Sequence, residues 1–327
     1  MYGTGNKKML NMLILEILRE YTDENHSLTQ QEIIKLLEQN YGMECDRRSV
    51  KSNIMSLKEM GYDISTEGGN RLISREFDDA ELRILIDSVL FSKSISSKQA
   101  KDLIKKIRDM GSKHFNAKVN HVSNLPELNR TVNKQAMYSL DTINDAIADK
   151  KKISFIYNDI GMDLKLHPRR EQEYIVSPYQ IVANNGRFYL ICNSDAHDNV
   201  SHYRIDRMTD VKKLDEKAKT MKSVTGLEHG LDLPKHMAEH VYMFAGESVS
   251  VKIKTTPDMI AQITDWFGTD INIIDNKDGT ITIRLNCNWD AMKYWALQYG
   301  PYVEVLEPVD LRETIKELIK EMADKYQ

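Results

Sequence analysis

Residues 185–208, NGRFYLICNSDAHDNVSHYRIDRM, collect side chains suited to binding anions. Alternate residues of an extended chain share a face, so Phe188, Leu190 and Cys192 fall on one side and Arg187, Tyr189 and Ile191 on the other. The second run repeats the pattern, with Tyr203 and Ile205 on one face and His202, Arg204 and Asp206 opposite. A hairpin of these two runs gathers Arg187, Tyr189, His202 and Arg204. Arg presents a planar fork of donors to phosphate, and Tyr or His can stack on a base.

A second constellation lies in DRRSVKSNIMSLKEMGY, residues 46–62. Val50, Ile54 and Leu57 recur at i, i+4 and i+7 and mark the inward face of a helix. Arg47, Arg48, Lys51, Ser52 and Met55 then turn outward, a cationic and hydrogen-bonding face of the kind a DNA major groove accepts. Arg71 and Arg75 stand near the hairpin that follows.

The signatures of catalysis are missing: the chain has no H-E-x-x-H, no C-x-x-C and no G-x-S-x-G. GTGNKK near the start has neither the preceding strand nor the spacing of a phosphate loop. DNKDGT puts Lys277 at what would be a calcium-ligand position and reads as a hairpin turn. His236 and His240 are four residues apart but lack carboxylate or thiol partners, so they are read as solvent-exposed. No cofactor, metal or enzymatic activity is expected.

The elements that must position these groups follow from hydrophobic spacing and caps. Helices are predicted over 7–21, over SLTQQEIIKLLEQ with a Ser or Thr cap ahead of Glu32, and from Asp46 to Gly61. YDISTEGGNRLISRE follows as a hairpin about Gly68-Gly69, which completes a winged helix-turn-helix over 1–76. Two further helices and a polar connection, Gly111 to Asn133 with Pro126, form a helical linker region over 77–135. A helix at about 137–149 and five short strands suggest a closed SH3/Sm-like β-barrel over 136–220, with DVKKLDE leading away from it. The order β-α-β-β-α-β over 246–327 is ferredoxin-like, and its Trp266, Trp289 and Trp295 are expected as core or interface anchors. The fold class is multidomain α+β.

Composition sets the outer limits. The 327 residues suffice for two or three domains with sizeable cores. A net charge of -4 excludes binding to polyanions by bulk charge and leaves room for local basic patches. Three dispersed cysteines fit reduced thiols, and no apolar run is long enough to cross a bilayer, so a cytoplasmic protein without membrane contact is expected.

Three segments carry a resemblance. DRRSVKSNIMSLKEMGYDI resembles the recognition-helix segment of DeoR-type winged helices. SPYQIVANNGRFYLICNSDAHDNVSHYRIDRM resembles the core of the WYL domain, whose Trp-Tyr-Leu triplet stands here as Phe188-Tyr189-Leu190. YGPYVEVLEPVDLRETIKEL resembles the end of the WCX extension that follows WYL domains in the same transcriptional regulators. The resemblance implies a regulator that binds a double-stranded DNA operator as a homodimer, with Arg47, Arg48, Lys51, Ser52 and Arg71 toward DNA. It also implies an effector-sensing barrel for single-stranded nucleic acid or a nucleotide, in phage defence or a DNA-damage response. The family's pattern maps onto Arg187, Tyr189, Arg204 and Arg207, and Arg169 and Arg170 add to the rim. Arg207 is equally placed for a local ion pair with Asp206. Arg204 is the expected phosphate anchor, and His202, where a basic residue is common, is expected to tune that contact with pH. Two rivals stay open: an accessory nucleic-acid-binding protein whose barrel makes the main contact, and, with least support, a nucleotide-processing enzyme.

Overall fold

The computed structural model describes residues 9–119 and 130–327. GTGNKK and the middle of the expected connection, Pro126 included, lie outside the described residues. The chain divides into two compact units, Met1–Arg130 and Thr131–Gln327.

In the first unit, α1 (Leu10–Tyr21), α2 (Gln30–Tyr41) and α3 (Arg47–Glu59) pack around one apolar core that includes Ile14, Leu18, Ile33, Leu37, Val50, Ile54 and Leu57. Their starts are fixed locally. The Thr29 hydroxyl accepts from Glu32 N at 3.2 Å, while the Glu32 carboxylate accepts from Thr29 N at 2.7 Å. Asp46 caps α3 by accepting from Ser49 N at 2.7 Å. Two-residue strands β1 (Ile64–Ser65) and β2 (Arg71–Leu72) then pair antiparallel. Gly69, at φ 124°, is required at their turn, because a Cβ there would collide with the Ser27 side chain.

Helices α4 (Asp79–Phe91) and α5 (Ser97–Arg108) each open with a capping box. The polar connection expected after them is not irregular at its start: α6 (Lys113–Lys118) forms there. Phe115 drives it, buried with Leu82, Ile86, Leu90 and Ile104. Six residues are too short to show helical periodicity in a sequence.

In the second unit, α7 (Ala136–Ala148) precedes β3 (Lys151–Ile160), β4 (Leu166–Pro168), β5 (Tyr174–Asn184), β6 (Arg187–Ser194), β7 (Ser201–Arg204) and β8 (Met208–Lys217). The strand order is β4-β3-β5-β6-β7, and β8 also pairs with β3. DVKKLDE therefore does not lead away; it lies in β8, opposite β3 with Tyr157 facing Met208. Among the described residues no pairing joins β7 to β8, so the sheet is a curled half-barrel and not the closed barrel expected. A single 3-10 turn, Ile205–Arg207, links those two strands.

The curled sheet has a core on each face. Phe188, Leu190, Cys192, Tyr203 and Ile205 meet Ile143 and Ala146 of α7 on one side, as the alternation requires. The face expected to be solvated is partly covered. Tyr189 and Ile191 pack there with Val224, Leu227, Leu233, Met237 and Met243, from the segment carrying α8 (Leu233–Glu239).

The C-terminal part runs β9 (Ser248–Thr255), α9 (Ile260–Phe267), β10 (Asn272–Asp275), β11 (Ile281–Asn288), α10 (Trp289–Gln298), β12 (Glu304–Glu307) and α11 (Val309–Asp324). Its antiparallel sheet has the order β10-β11-β9-β12. Trp295 is fully buried in its core. Trp266 donates to the Tyr299 hydroxyl at 3.3 Å and Trp289 to Asp310 at 3.1 Å, whereas the buried Nε1 of Trp295 makes no hydrogen bond.

Candidate functional site

The hairpin of β6 and β7 sets Tyr189 opposite Arg204 and Ile191 opposite His202. The 3-10 turn then swings Asp206 back toward the sheet. Asn133 holds this turn by donating to the Asp206 carbonyl at 3.2 Å, and Asn158 donates to the Arg207 carbonyl at 2.9 Å. The Asp206 carboxylate is buried and takes three charge-assisted bonds. Arg204 donates from Nε at 3.0 Å and Nη2 at 2.7 Å, and Arg187 donates from Nη1 at 2.8 Å.

Arg204 is therefore not an uncommitted anchor: its fork is spent on a buried carboxylate. Burial opposes its charge, but the Asp206 bonds outweigh that and raise its pKa. For Arg187 the balance runs the other way, because burial and then repulsion from Arg204 lower its pKa. The local pair of Arg207 with Asp206 is not what forms. Arg207 reaches Asp159 at 3.5 Å, and its buried Nε makes no hydrogen bond. Arg169 grips the same Asp159 with two bonds, at 2.8 and 2.7 Å, and lies over the Tyr157 ring at 4.9 Å.

Tyr157 is the hub the sequence reading missed. Its hydroxyl accepts from Arg204 N at 3.3 Å. Burial raises its pKa, while Arg207, Arg169 and Arg204 oppose that rise through their charge. The period-2 run Phe155, Tyr157, Asp159 in KISFIYND was the available signal. Four guanidinium groups (Arg169, Arg187, Arg204, Arg207) thus share two carboxylates (Asp159, Asp206), which leaves two positive charges in excess. Arg170 stands over the Tyr174 ring at 3.6 Å, beside the aromatic cluster of Phe155, Tyr157 and Tyr203.

His202 does not serve the proton-dependent contact expected of it. Its Nε2 lies 2.8 Å from Nε2 of His236, and burial, then His240 and His236, lower its pKa to about 3. It is therefore neutral across the pH range in which that contact was to act. His236 and His240 are likewise not solvent-exposed: they are 8% and 6% accessible.

In the first unit, Val50, Ile54 and Leu57 are buried, and Arg47, Arg48, Lys51, Ser52 and Met55 are exposed on α3. Arg47 donates to Gln31 at 2.7 Å, which holds it toward α2. Arg71 is half-buried, with its Nε unbonded. Arg75 is turned inward, donating to the carbonyls of Leu18 and Thr22 at the end of α1.

Comparison with known proteins adds the family. The WYL domain matches residues 139–213 and the WCX domain matches residues 247–323. The chain carries a WYL domain followed by a WCX domain. It is similar to the uncharacterized HTH-type transcriptional regulator YobV of Bacillus subtilis (strain 168), at 24% identity over 188 residues. That match covers 57% of this chain and 55% of YobV, so the chain spans about half the length of this curated relative. Among solved structures, proteasome accessory factor B/C of Arthrobacter aurescens matches with a TM-score of 0.31 and 13% identity, over 100% of this chain and 50% of that one. A CRISPR Cas-related protein matches with a TM-score of 0.40 and 18% identity, over 77% and 75%. Among the described residues no helix is long and apolar enough to cross a membrane.

Proposed function

We propose that this WYL and WCX chain is a DNA-binding transcriptional regulator that acts in the cytoplasm as a homodimer. The observation that carries the reading is α3. It buries Val50, Ile54 and Leu57 and exposes Arg48, Lys51, Ser52 and Met55, with a two-stranded hairpin close behind it. Three helices and a hairpin make a winged helix, and its third helix is the element that enters a major groove. The name of the Bacillus relative supports the same reading.

The arginine set around Tyr157 is the effector site of this proposal. Two excess positive charges on a partly buried, rigidly held surface favour a phosphate-bearing ligand, namely single-stranded nucleic acid or a nucleotide. Arg187 and Arg207 supply the donors to it, each making a single bond to a carboxylate. Arg204 holds the turn that places them. An effector there shifts the DNA-binding equilibrium by no more than its differential affinity for the two arrangements of the dimer. Phage defence or a DNA-damage response is the setting in which such a signal arises.

Selection of bound duplexes from a random library tests the reading. The expected product is a two-fold symmetric site with half-sites one helical turn apart, about 10 base pairs. Recovery of no enriched sequence, together with tight binding of single strands, would favour the accessory-protein reading instead.

A further inference from the structure

Helix α4 is apolar on two faces, and only one of them is used by the fold. Its inner face, Leu82, Ile86 and Leu90, is buried with Ile104 of α5 and Phe115 of α6. That is the ordinary stripe of a helix packed on its own core. The outer face runs Ala80, Ile84, Ser88 and Phe91, at i, i+4, i+8 and i+11, and all four residues are exposed. Ile84 is 64% accessible and Phe91 59%. A solvated helix face carries charged and polar side chains, whereas this one carries two large apolar residues and two small ones. Ser88 adds no unmet donor to it, because its hydroxyl donates to the Ile84 carbonyl at 2.7 Å.

The order of sizes along this face is self-complementary. Two copies of α4 can lie antiparallel, with a two-fold axis crossing them at the level of Ile86. Ile84 then stands level with the partner's Ser88. Phe91 stands within one residue, about 1.5 Å along the axis, of the partner's Ala80. Large meets small at each position, and the small residues let the two helices approach closely. The axis repeats every contact twice, as an isologous pair requires.

The flanks agree with the same register. A two-fold axis lying in the interface brings the same flank of each helix together. Arg83 and Asp87 run along one flank, where Arg83 Nε donates to Asp87 Oδ2 at 2.8 Å. In the pair, Arg83 comes within two residues, about 3 Å along the axis, of the partner's Asp87. The two local ion pairs thus merge into one neutral cluster of four charges with opposite signs across the interface. On the other flank the exposed Leu85 meets the partner's Leu85. Charge, size and polarity are therefore all matched by a second copy of the same helix.

We propose that the outer face of α4 is a homodimer contact, formed antiparallel with α4 of a second copy of this chain. The inference rests on the homodimer of the function proposed above and names the surface that makes it. Helix α4 follows the hairpin of β1 and β2 and belongs to the same compact unit as α3. Pairing through it sets the spacing of the two reading helices.

The test is sedimentation equilibrium of the full chain and of three variants, with circular dichroism to confirm that each is folded. Arg83→Asp turns the cluster into four negative charges, and Asp87→Arg turns it into four positive ones. Each variant leaves both apolar faces intact and removes only an exposed i, i+4 pair, which adds little to the helix itself. Like charges facing one another across an interface are costly, so each variant should raise the dimer dissociation constant about tenfold or more. An equimolar mixture of the two should recover the dimer, because one copy then offers two negative charges and the other two positive. Ile84→Lys should also be monomeric, because it sets a charge at the centre of the contact. Dimers that persist in all three variants would overturn the proposal and place the contact elsewhere, with the homodimer itself intact. Monomeric charge variants that stay monomeric on mixing would overturn it as well. An unaltered chain that is monomeric would overturn both the contact and the homodimer.

Discussion

At the scale of single residues, the charge arrangement around Asp206 separates two arginines that look alike in the sequence. Arg204→Ala strips two bonds from a buried carboxylate and leaves it with Arg187 alone. Breaking a buried pair in this way costs about 3–5 kcal/mol. Arg187→Ala leaves the two-bond Arg204 pair intact, so its cost should stay near that of one charge-assisted hydrogen bond, about 1.5–3 kcal/mol. Urea unfolding followed by tryptophan fluorescence reads both, because Trp266, Trp289 and Trp295 all lie in the same unit as this site. Equal losses in the two variants would show that Asp206 does not depend on Arg204. Arg187→Ala should weaken nucleotide binding more than it weakens the fold.

The histidines make a prediction about acid. His202 and His236 titrate in the folded protein at about 3 and about 4, below their ordinary value of 6.5, because they are buried. Between those values the unfolded chain binds more protons than the folded one, so stability rises with pH. Stability should be flat above pH 6.5 and should fall as pH drops toward 4. His236→Asn should shallow the slope in pH-dependent thermal unfolding. An unchanged slope would mean that this ring is not buried neutral.

At the scale of elements, local signals were readable and non-local ones were not. The Thr29 and Asp46 caps and the 3.6-residue spacing of Val50, Ile54 and Leu57 announce α2 and α3, because those forces act within one or two turns. The alternation of β6 likewise gave its two faces. The pairing of β8 with β3 joins residues about 60 apart, and no feature of DVKKLDE encodes it. Cover on the second face of the sheet was missed for a related reason. Val224, Leu227, Leu233, Met237 and Met243 are scattered through a loop-rich stretch around a seven-residue helix, too short for its spacing to identify a buried face. Once that segment is placed, His236 and His240 become interior residues, and the site at the hairpin divides into an arginine end and a histidine end.

Helix α6 offers an element-scale test. Phe115 is 2% exposed and is the residue by which α6 joins the core of α4 and α5. Phe115→Ala should destabilise the first unit by about 3–5 kcal/mol. The first unit contains no tryptophan, so the loss should appear in the helical circular dichroism signal at lower urea, with tryptophan fluorescence nearly unchanged. A coincident shift of both signals would mean that the two units unfold as one.

At the scale of the whole molecule, two units carry different chemistry, one presenting a cationic helix and one presenting arginines held by the buried Asp206 and the half-exposed Asp159. A homodimer doubles the contact that a single winged helix makes with DNA. Trp295 is buried in the core of the WCX domain, and Trp266 and Trp289 are only partly buried there, each donating to a side chain of the same domain. The central claim is that α3 reads DNA, and it is tested most directly by equilibrium binding of the full chain to its selected duplex at fixed salt. Arg48→Ala with Lys51→Ala, which leaves Val50, Ile54 and Leu57 in place, should weaken binding by about 1–3 kcal/mol per base-reading contact and reduce the salt dependence where a contact is to phosphate. A folded double variant that binds the selected duplex as tightly as the unaltered protein would contradict the account.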